Sequence, residues 1–280
     1  MLLLAMVGGS LLLVVAISRW GSPSDEWAYW LGAKRLVAGQ PLYDPAATLV
    51  TPFAYLYPPP LAQFLAPFTL VVPDWLYEVA WTAGLLAILL WFARWKPILA
   101  LAFVAFIPVA VELWFRNVHL ILAALVVLGL RGAPWAFAVG SAIKISPGLG
   151  IVYLALRGRW RDALTASAVG LGILVVSVVL TPSAWADFVR SVVSQGAGSG
   201  ASLIPVPFFV RAVAGLALTV VAARLSPRNG EVLLVVAITL ANPTLYVTAL
   251  SILIAIVPLL RLSEERPSAS RLGTVEPATT

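Results

Sequence analysis

Long apolar runs, each ended by a few polar residues, make up most of this chain. Residues 75–92, 97–115, 118–130, 134–156, 164–180 and 204–223 are near-continuous apolar stretches. Runs of this length predict transmembrane helices. Residues 1–17 form another. A basic leading segment and a small-x-small cleavage pattern are both missing there, so the run reads as an uncleaved first span rather than a signal peptide. Residues 60–72 are short enough to be partly re-entrant. Residues 232–260 are too long for one span and are broken by Asn242-Pro243, which predicts two short ones. The expected architecture is an all-α polytopic membrane protein with about ten transmembrane helices, or eight to nine if the short pieces are re-entrant. Residues 1–262 then form a single transmembrane domain.

Polar residues collect in two loops and a tail. The longer loop, 19–57, holds Asp25, Glu26, Lys34, Arg35 and Asp44. Ser22 or Ser24 is placed to cap a helix over residues 25–37, and Gly39 to end it. On that helix Asp25, Tyr29, Gly32 and Leu36 share one face. Trp27, Trp30, Leu31 and Lys34 share the other, a composition that suits an amphipathic helix lying in the headgroup zone. Glu26 points away from Asp25 and reads as solvated. GQPLYDP reads as turn chemistry, and YLYPPP as an extended lead into the next apolar run. The second loop, 181–203, contains SQGAGSGAS. The tail 263–280 is rich in Ser, Pro, Thr, Glu and Arg and reads as a disordered cytoplasmic segment.

Composition supports the membrane reading. The 280 residues are 61% hydrophobic and only 11% charged, against about 25% charged in a soluble domain. The net charge of +6 is scattered between apolar runs. That pattern suits loops facing anionic headgroups and gives no nucleic-acid surface. The chain has no cysteine, which excludes disulfides, thiolate metal sites and cysteine nucleophiles. One histidine offers no zinc cluster. No cofactor is expected, and a divalent cation has no support in the sequence. With the N-terminus inside, loop charges place Arg157, Arg159, Arg161, Arg224, Arg228 and the tail inside, and Arg19, Lys34, Arg35, Arg94, Lys96, Arg131 and Arg190 outside. Both polar loops then lie on the outer face of the plasma membrane.

The candidate chemistry is sparse. Asp25 reads first as a helix N-terminal carboxylate, favoured there by the dipole, and alternatively as a general base for an acceptor hydroxyl. Lys144 sits near the middle of an apolar run, where a lysine is costly. It reads equally as a phosphate ligand in a water-filled cavity and as a lysine packed against backbone carbonyls. Glu112 and Arg116 are spaced to pair with each other. Arg116, Asn117 and His119 read as polar residues of a turn, and Tyr55 and Tyr57 as interfacial belt residues. No phosphate loop, HExxH or GxSxG is present.

Asp25, AYWLGAKRLVAGQPLYDP, YLYPPPLAQFLAPF, RNVHLILAALVVLGL, AIKISP and YLALRGRWR, in that order and spacing, resemble glycosyltransferase family 87. These are membrane enzymes of the GT-C class and include bacterial mannosyltransferases that use polyprenyl-phosphate sugars. The resemblance implies that Asp25 activates the acceptor hydroxyl. Tyr29, Gly39 and Tyr43 match the segment that follows it, Tyr57 and Pro58 the Tyr-Pro-Pro element, and Lys144 and Pro147 a Lys-x-x-Pro element. The expected substrate-binding set is Tyr29, Lys34, Arg35, Tyr57, Asn117, His119 and Lys144, and the resemblance implies that Lys144 faces the lipid phosphate. The chain departs from the family at Arg116-Asn117-Val118-His119, where Gly-Gln-x-Asn is usual, and at 242–246, which lacks a late histidine. The implied reaction is inverting transfer of a sugar, a mannose-like hexose or a pentose, to a lipid or glycan acceptor on the outer face. The alternatives are a non-catalytic polyprenyl-lipid-binding relative and a small-solute transporter with Lys144 and Asn242-Pro243 at its midplane.

Overall fold

The computed structural model of the protein describes residues 25–44, 51, 53–196 and 202–264, with Gly8, Gly9 and Val15; the side chains of 191–196 and 262–264 are not described. Apart from Gly8, Gly9 and Val15 the first expected span lies outside the described residues, as do the Ser22 or Ser24 cap, residues 197–201 of the second polar loop and the tail beyond 264.

Among the described residues the chain is helical throughout. In order the helices are α1 (Asp25–Val37), α2 (Pro59–Leu65), α3 (Asp74–Phe92), α4 (Pro97–Val104), α5 (Ile107–Phe115), α6 (His119–Leu130), α7 (Trp135–Ile143), α8 (Leu149–Leu156), α9 (Trp160–Leu180), α10 (Pro182–Gly196), α11 (Phe208–Ala222), α12 (Pro227–Leu240) and α13 (Ile256–Glu264). Short 3-10 turns cover Ala66–Leu70, Ser146–Gly148 and Val247–Ala255. Among the described residues only α3 and α9 are long and apolar enough to cross a membrane on their own. The pair α4 and α5 makes a third candidate, bent by 91°. The remaining apolar helices are shorter. The 181–203 segment, expected as a loop, is helical as α10 through Gly196.

Two apolar runs are hairpins rather than crossings. The run 60–72 leaves Tyr57, turns through α2 and the 3-10 segment, and delivers Asp74 back to α1, where Lys34 Nζ meets its carboxylate at 2.6 Å. The run 134–156 breaks in the middle. Its last α7 bond runs from Lys144 N–H to the Gly140 carbonyl, and Lys144 itself is extended at φ −144°. Pro147 follows, with no N–H to continue the helix. The chain therefore turns at Lys144 and runs back as α8.

These hairpins redistribute the charges. Lys34 lies at the start of α3 and Arg94 and Lys96 at its far end, about 28 Å away for 19 residues at 1.5 Å each. Arg131 lines one cavity with Arg157 and Arg159. So Arg94, Lys96 and Arg131 do not share a face with Lys34, contrary to the reading from loop charges. Arg131 joins Arg157 and Arg159 at the end of α6 away from His119.

Close packing holds the hairpin. A Cβ added at Gly129 of α6 or Gly150 of α8 would lie 2.6 Å or 2.1 Å from the fully buried ring of Phe137 on α7. Small residues let three helices share one aromatic ring, as helix interfaces in membranes require. Helix α1 packs similarly: Gly32 leaves room for the Tyr55 ring, and Gly39, at φ 66°, ends the helix as expected. Its tryptophan face is not turned to headgroups, however. Trp30 is fully buried, stacks on Tyr77 at 4.1 Å and donates to Asp74.

Candidate active site

Helix α1 brings Asp25 and Tyr29 to the start of α6. The chain reaches that point through an unusual turn. Arg116, the residue after α5, takes the left-handed conformation at φ 51°, which costs a non-glycine residue about 1 kcal/mol or more. Three contacts hold it. Its guanidinium reaches Glu26 at 2.6 Å and Glu78 at 2.7 Å, and its carbonyl accepts from Trp81 Nε1 at 2.8 Å. The turn directs Asn117 and His119 inward.

A directed chain of donors then ends on Asp25. The Tyr29 hydroxyl donates to that of Tyr57 at 3.0 Å, Tyr57 donates to Asn117 Oδ1 at 3.2 Å, and Asn117 Nδ2 donates to Asp25 Oδ2. The Val118 N–H also donates to Asn117 Oδ1 at 2.7 Å, which fixes the orientation of the amide. Tyr43 and Tyr55 support this chain from below by donating to the carbonyls of Tyr57 and Pro58. Tyr55 and Tyr57 are thus buried, hydrogen-bonded residues, not belt residues.

The second arm of the site runs from Glu112 to Lys144. Glu112 is fully buried and accepts the N–H groups of His119 at 2.6 Å and Leu120 at 3.2 Å. Its other oxygen lies 3.0 Å from His119 Nδ1. Nδ1 is therefore the protonated nitrogen, and Nε2 accepts from Lys144 Nζ at 2.8 Å. The ammonium also reaches Thr244 Oγ1, long at 3.4 Å, and lies 5.1 Å from the Tyr57 ring centroid. Among the described residues these bonds use two of its three N–H groups.

The two arms meet at Tyr57 and Asn117. Asp25 retains some exposed surface while its carboxyl is enclosed by protein atoms. That burial pushes the carboxyl above the usual carboxylate range, against the pull of the Asn117 hydrogen bond and the Lys144 charge. The result is a carboxylate held by one donor, facing a buried ammonium. Such an arrangement can take a proton from a hydroxyl and balance charge on a leaving phosphate. Among the described residues no group of three His, Asp or Glu side chains could hold a metal ion.

Most of the expected residues converge. Asp25, Tyr29, Tyr57, Asn117, His119 and Lys144 form one connected cluster. Lys34 is drawn away to Asp74, and no bond among the described residues joins Arg35 to the cluster. Glu26 is not solvated but buried on Arg116. Glu112 pairs with His119, not with Arg116. The sequence carried a signal for that pairing: a carboxylate inside an apolar run demands a partner. Thr244 was missed as well, though it follows the Asn242-Pro243 break. Arg211 holds that break in place by donating to the Leu240, Asn242 and Pro243 carbonyls.

An apolar cavity of about 440 Å³ adjoins the cluster, walled by Leu61, Trp81, Val118, Ile121, Leu125 and Ile143. Two of its walls, Val118 and Ile143, are the chain neighbours of Asn117 and Lys144.

Glu26 supplies a pH test of this geometry. Burial pushes its carboxyl up to about 7, with Arg116 opposing; the ordinary value is 4.5. The ion pair is close, but neither oxygen of Glu26 has hydrogen-bond geometry to a partner among the described residues. A raised carboxyl binds more protons folded than unfolded between these values, so its contribution to stability falls as pH rises through that window. Glu26→Gln, which mimics the protonated form, should gain thermal stability relative to the wild type between pH 4.5 and about 7 and hold a constant difference above it. A difference that does not move with pH would rule out the buried Glu26 assignment.

The family model of glycosyltransferase family 87 matches residues 55–275, more than three-quarters of the chain. The matched range holds Tyr57, Asn117, His119 and Lys144 and begins after Asp25. Neither a curated protein nor a solved structure matches the chain.

Proposed function

Since the chain belongs to glycosyltransferase family 87, we propose that it moves a hexose or pentose from a polyprenyl-phosphate donor to a lipid or glycan acceptor, with Asp25 as base. The observation that carries this reading is the meeting of Asp25 and Lys144 across Asn117 and Tyr57. In the reaction, Asp25 takes the proton of the acceptor hydroxyl as its oxygen attacks the anomeric carbon. The bond from that carbon to the phosphate oxygen breaks, its electron pair stays on the phosphate, and the sugar inverts. Lys144 faces the charge that appears on the phosphate. The apolar cavity beside Ile143 receives isoprenoid units of the donor.

Loop charge supports an outer-face site. Arg131, Arg157 and Arg159 collect around one cavity at the end of the bundle away from Asp25, and basic residues of this kind concentrate on the inner side of a membrane. The transporter reading drew on Lys144 and the Asn242-Pro243 break, which do meet through Thr244. Family membership and the Asp25 arm favour transfer.

Membranes carrying the protein should transfer labelled sugar from a polyprenyl-phosphate hexose and not from a nucleotide sugar. Transfer from the nucleotide sugar alone would overturn the donor assignment. A single cysteine placed at Gly39, in a chain with none of its own, should be labelled from the outer side; labelling from the cytoplasm alone would overturn the sidedness.

A further inference from the structure

Several helices that build the site end together at the other side of the molecule. Helix α6 runs from His119 to Leu130, α8 from the Lys144 turn to Leu156, and α12 from Pro227 towards Thr244. Helix α12 is about 21 Å long for its 14 residues. The far ends enclose a cavity of about 420 Å³ lined by Arg131, Arg157, Arg159, Tyr153, Pro227 and Glu231.

Its charge is unbalanced. Three guanidinium groups face one lining carboxylate, Glu231, which Arg131 Nη2 approaches at 3.5 Å. Arg157 is held by neutral acceptors, the carbonyls of Ala223 at 3.1 Å and Leu225 at 2.8 Å, which fix its position without cancelling its charge. Arg159 shares Asp162 at 2.7 Å, and both are about one-third exposed. Arg131 donates through Nη2 to the Leu259 carbonyl, but its buried Nε has no hydrogen-bond partner among the described residues. Helix α12 opens at the cavity with Pro227, and its Ser226 cap makes no side-chain bond, so the first-turn N–H dipole adds to the positive field.

The surroundings indicate depth in the membrane. Trp135 and Trp160 begin α7 and α9 at this end and are 45% and 62% exposed. Exposed tryptophans beside arginines mark the headgroup level. We infer that this cavity is a second binding site, for the phosphodiester headgroup of an anionic membrane lipid, at the end of the bundle opposite Asp25. A phosphodiester offers two oxygens and one negative charge to guanidinium forks, which bind such groups in pairs. A basic cavity between helices at headgroup depth is the form such sites take.

The test is titration of the purified full chain in detergent with phosphatidylglycerol and with phosphatidylcholine, read by native mass spectrometry. Phosphatidylglycerol binds preferentially. Arg131→Gln and Arg159→Gln each weaken it about five-fold, the scale of one basic contact at a membrane surface, and leave phosphatidylcholine unchanged. Among the described residues the Arg159 side chain bonds only to the partly exposed Asp162, so its variant reads the site even where Arg131→Gln fails to fold. Equal binding of the two lipids, or unchanged phosphatidylglycerol binding by Arg159→Gln, overturns the proposal. So does displacement of phosphatidylglycerol by millimolar inorganic phosphate, which would make the ligand a free anion.

Discussion

Asp25→Asn is expected to lower sugar transfer by about 10²- to 10⁴-fold, the range for loss of a general base, without lowering the melting temperature. The two outcomes belong together. Asparagine has the size of aspartate and can still accept from Asn117 through its carbonyl oxygen, so the chain from Tyr29 through Tyr57 persists. Enclosure already works against the Asp25 charge, so a neutral replacement relieves a cost rather than creating one. An inert variant that also melts early would mark Asp25 as structural. Transfer at the wild-type rate would assign the base elsewhere. The same enclosure sets the pH dependence of the wild type. Because the carboxyl is held above the ordinary carboxylate range, the rate should climb with pH through that raised value, and Asp25→Asn should lose this limb.

The parts of the site that were legible in the sequence are those where a polar group is expensive. Asp25, Lys144 and the helix ending at Gly39 stood out because an apolar chain had no other use for them. The Glu112–His119 pair did not. Its two members straddle a helix end, and they meet only because Arg116 adopts a left-handed turn that no glycine announces. Trp30 and Lys34 looked like an interfacial face because Asp74, which binds both, lies 40 or more residues further on. The hairpin at Lys144 was hidden for a different reason. Two apolar helices of nine and eight residues, joined by five residues, average to one long run. Hydropathy measures the burial of residues, not the direction of the chain, so a run counted as a crossing that instead turns back reverses the side assigned to the loops after it.

Lys144→Met is expected to lower kcat by about 10²- to 10³-fold, the loss seen when one group facing a developing oxyanion is removed. KM for the donor should change less, because the charge on the phosphate oxygen grows as its bond to the sugar breaks. Removing the ammonium also leaves His119 Nε2 without its donor, so the substitution alone confounds chemistry with packing. His119→Gln separates them. It removes the imidazole that Lys144 leans on while keeping the ammonium, the Thr244 contact and the backbone bonds from 119 and 120 to Glu112. If Lys144 acts on the leaving phosphate, His119→Gln keeps most of kcat and the methionine variant does not. If the two fall together and both melt early, the Glu112–His119–Lys144 row is a structural pin for the hairpin, and the phosphate must be met by another cation. Arg116, already shared between Glu26 and Glu78, is poorly placed for that role, which is why the burden falls on Lys144.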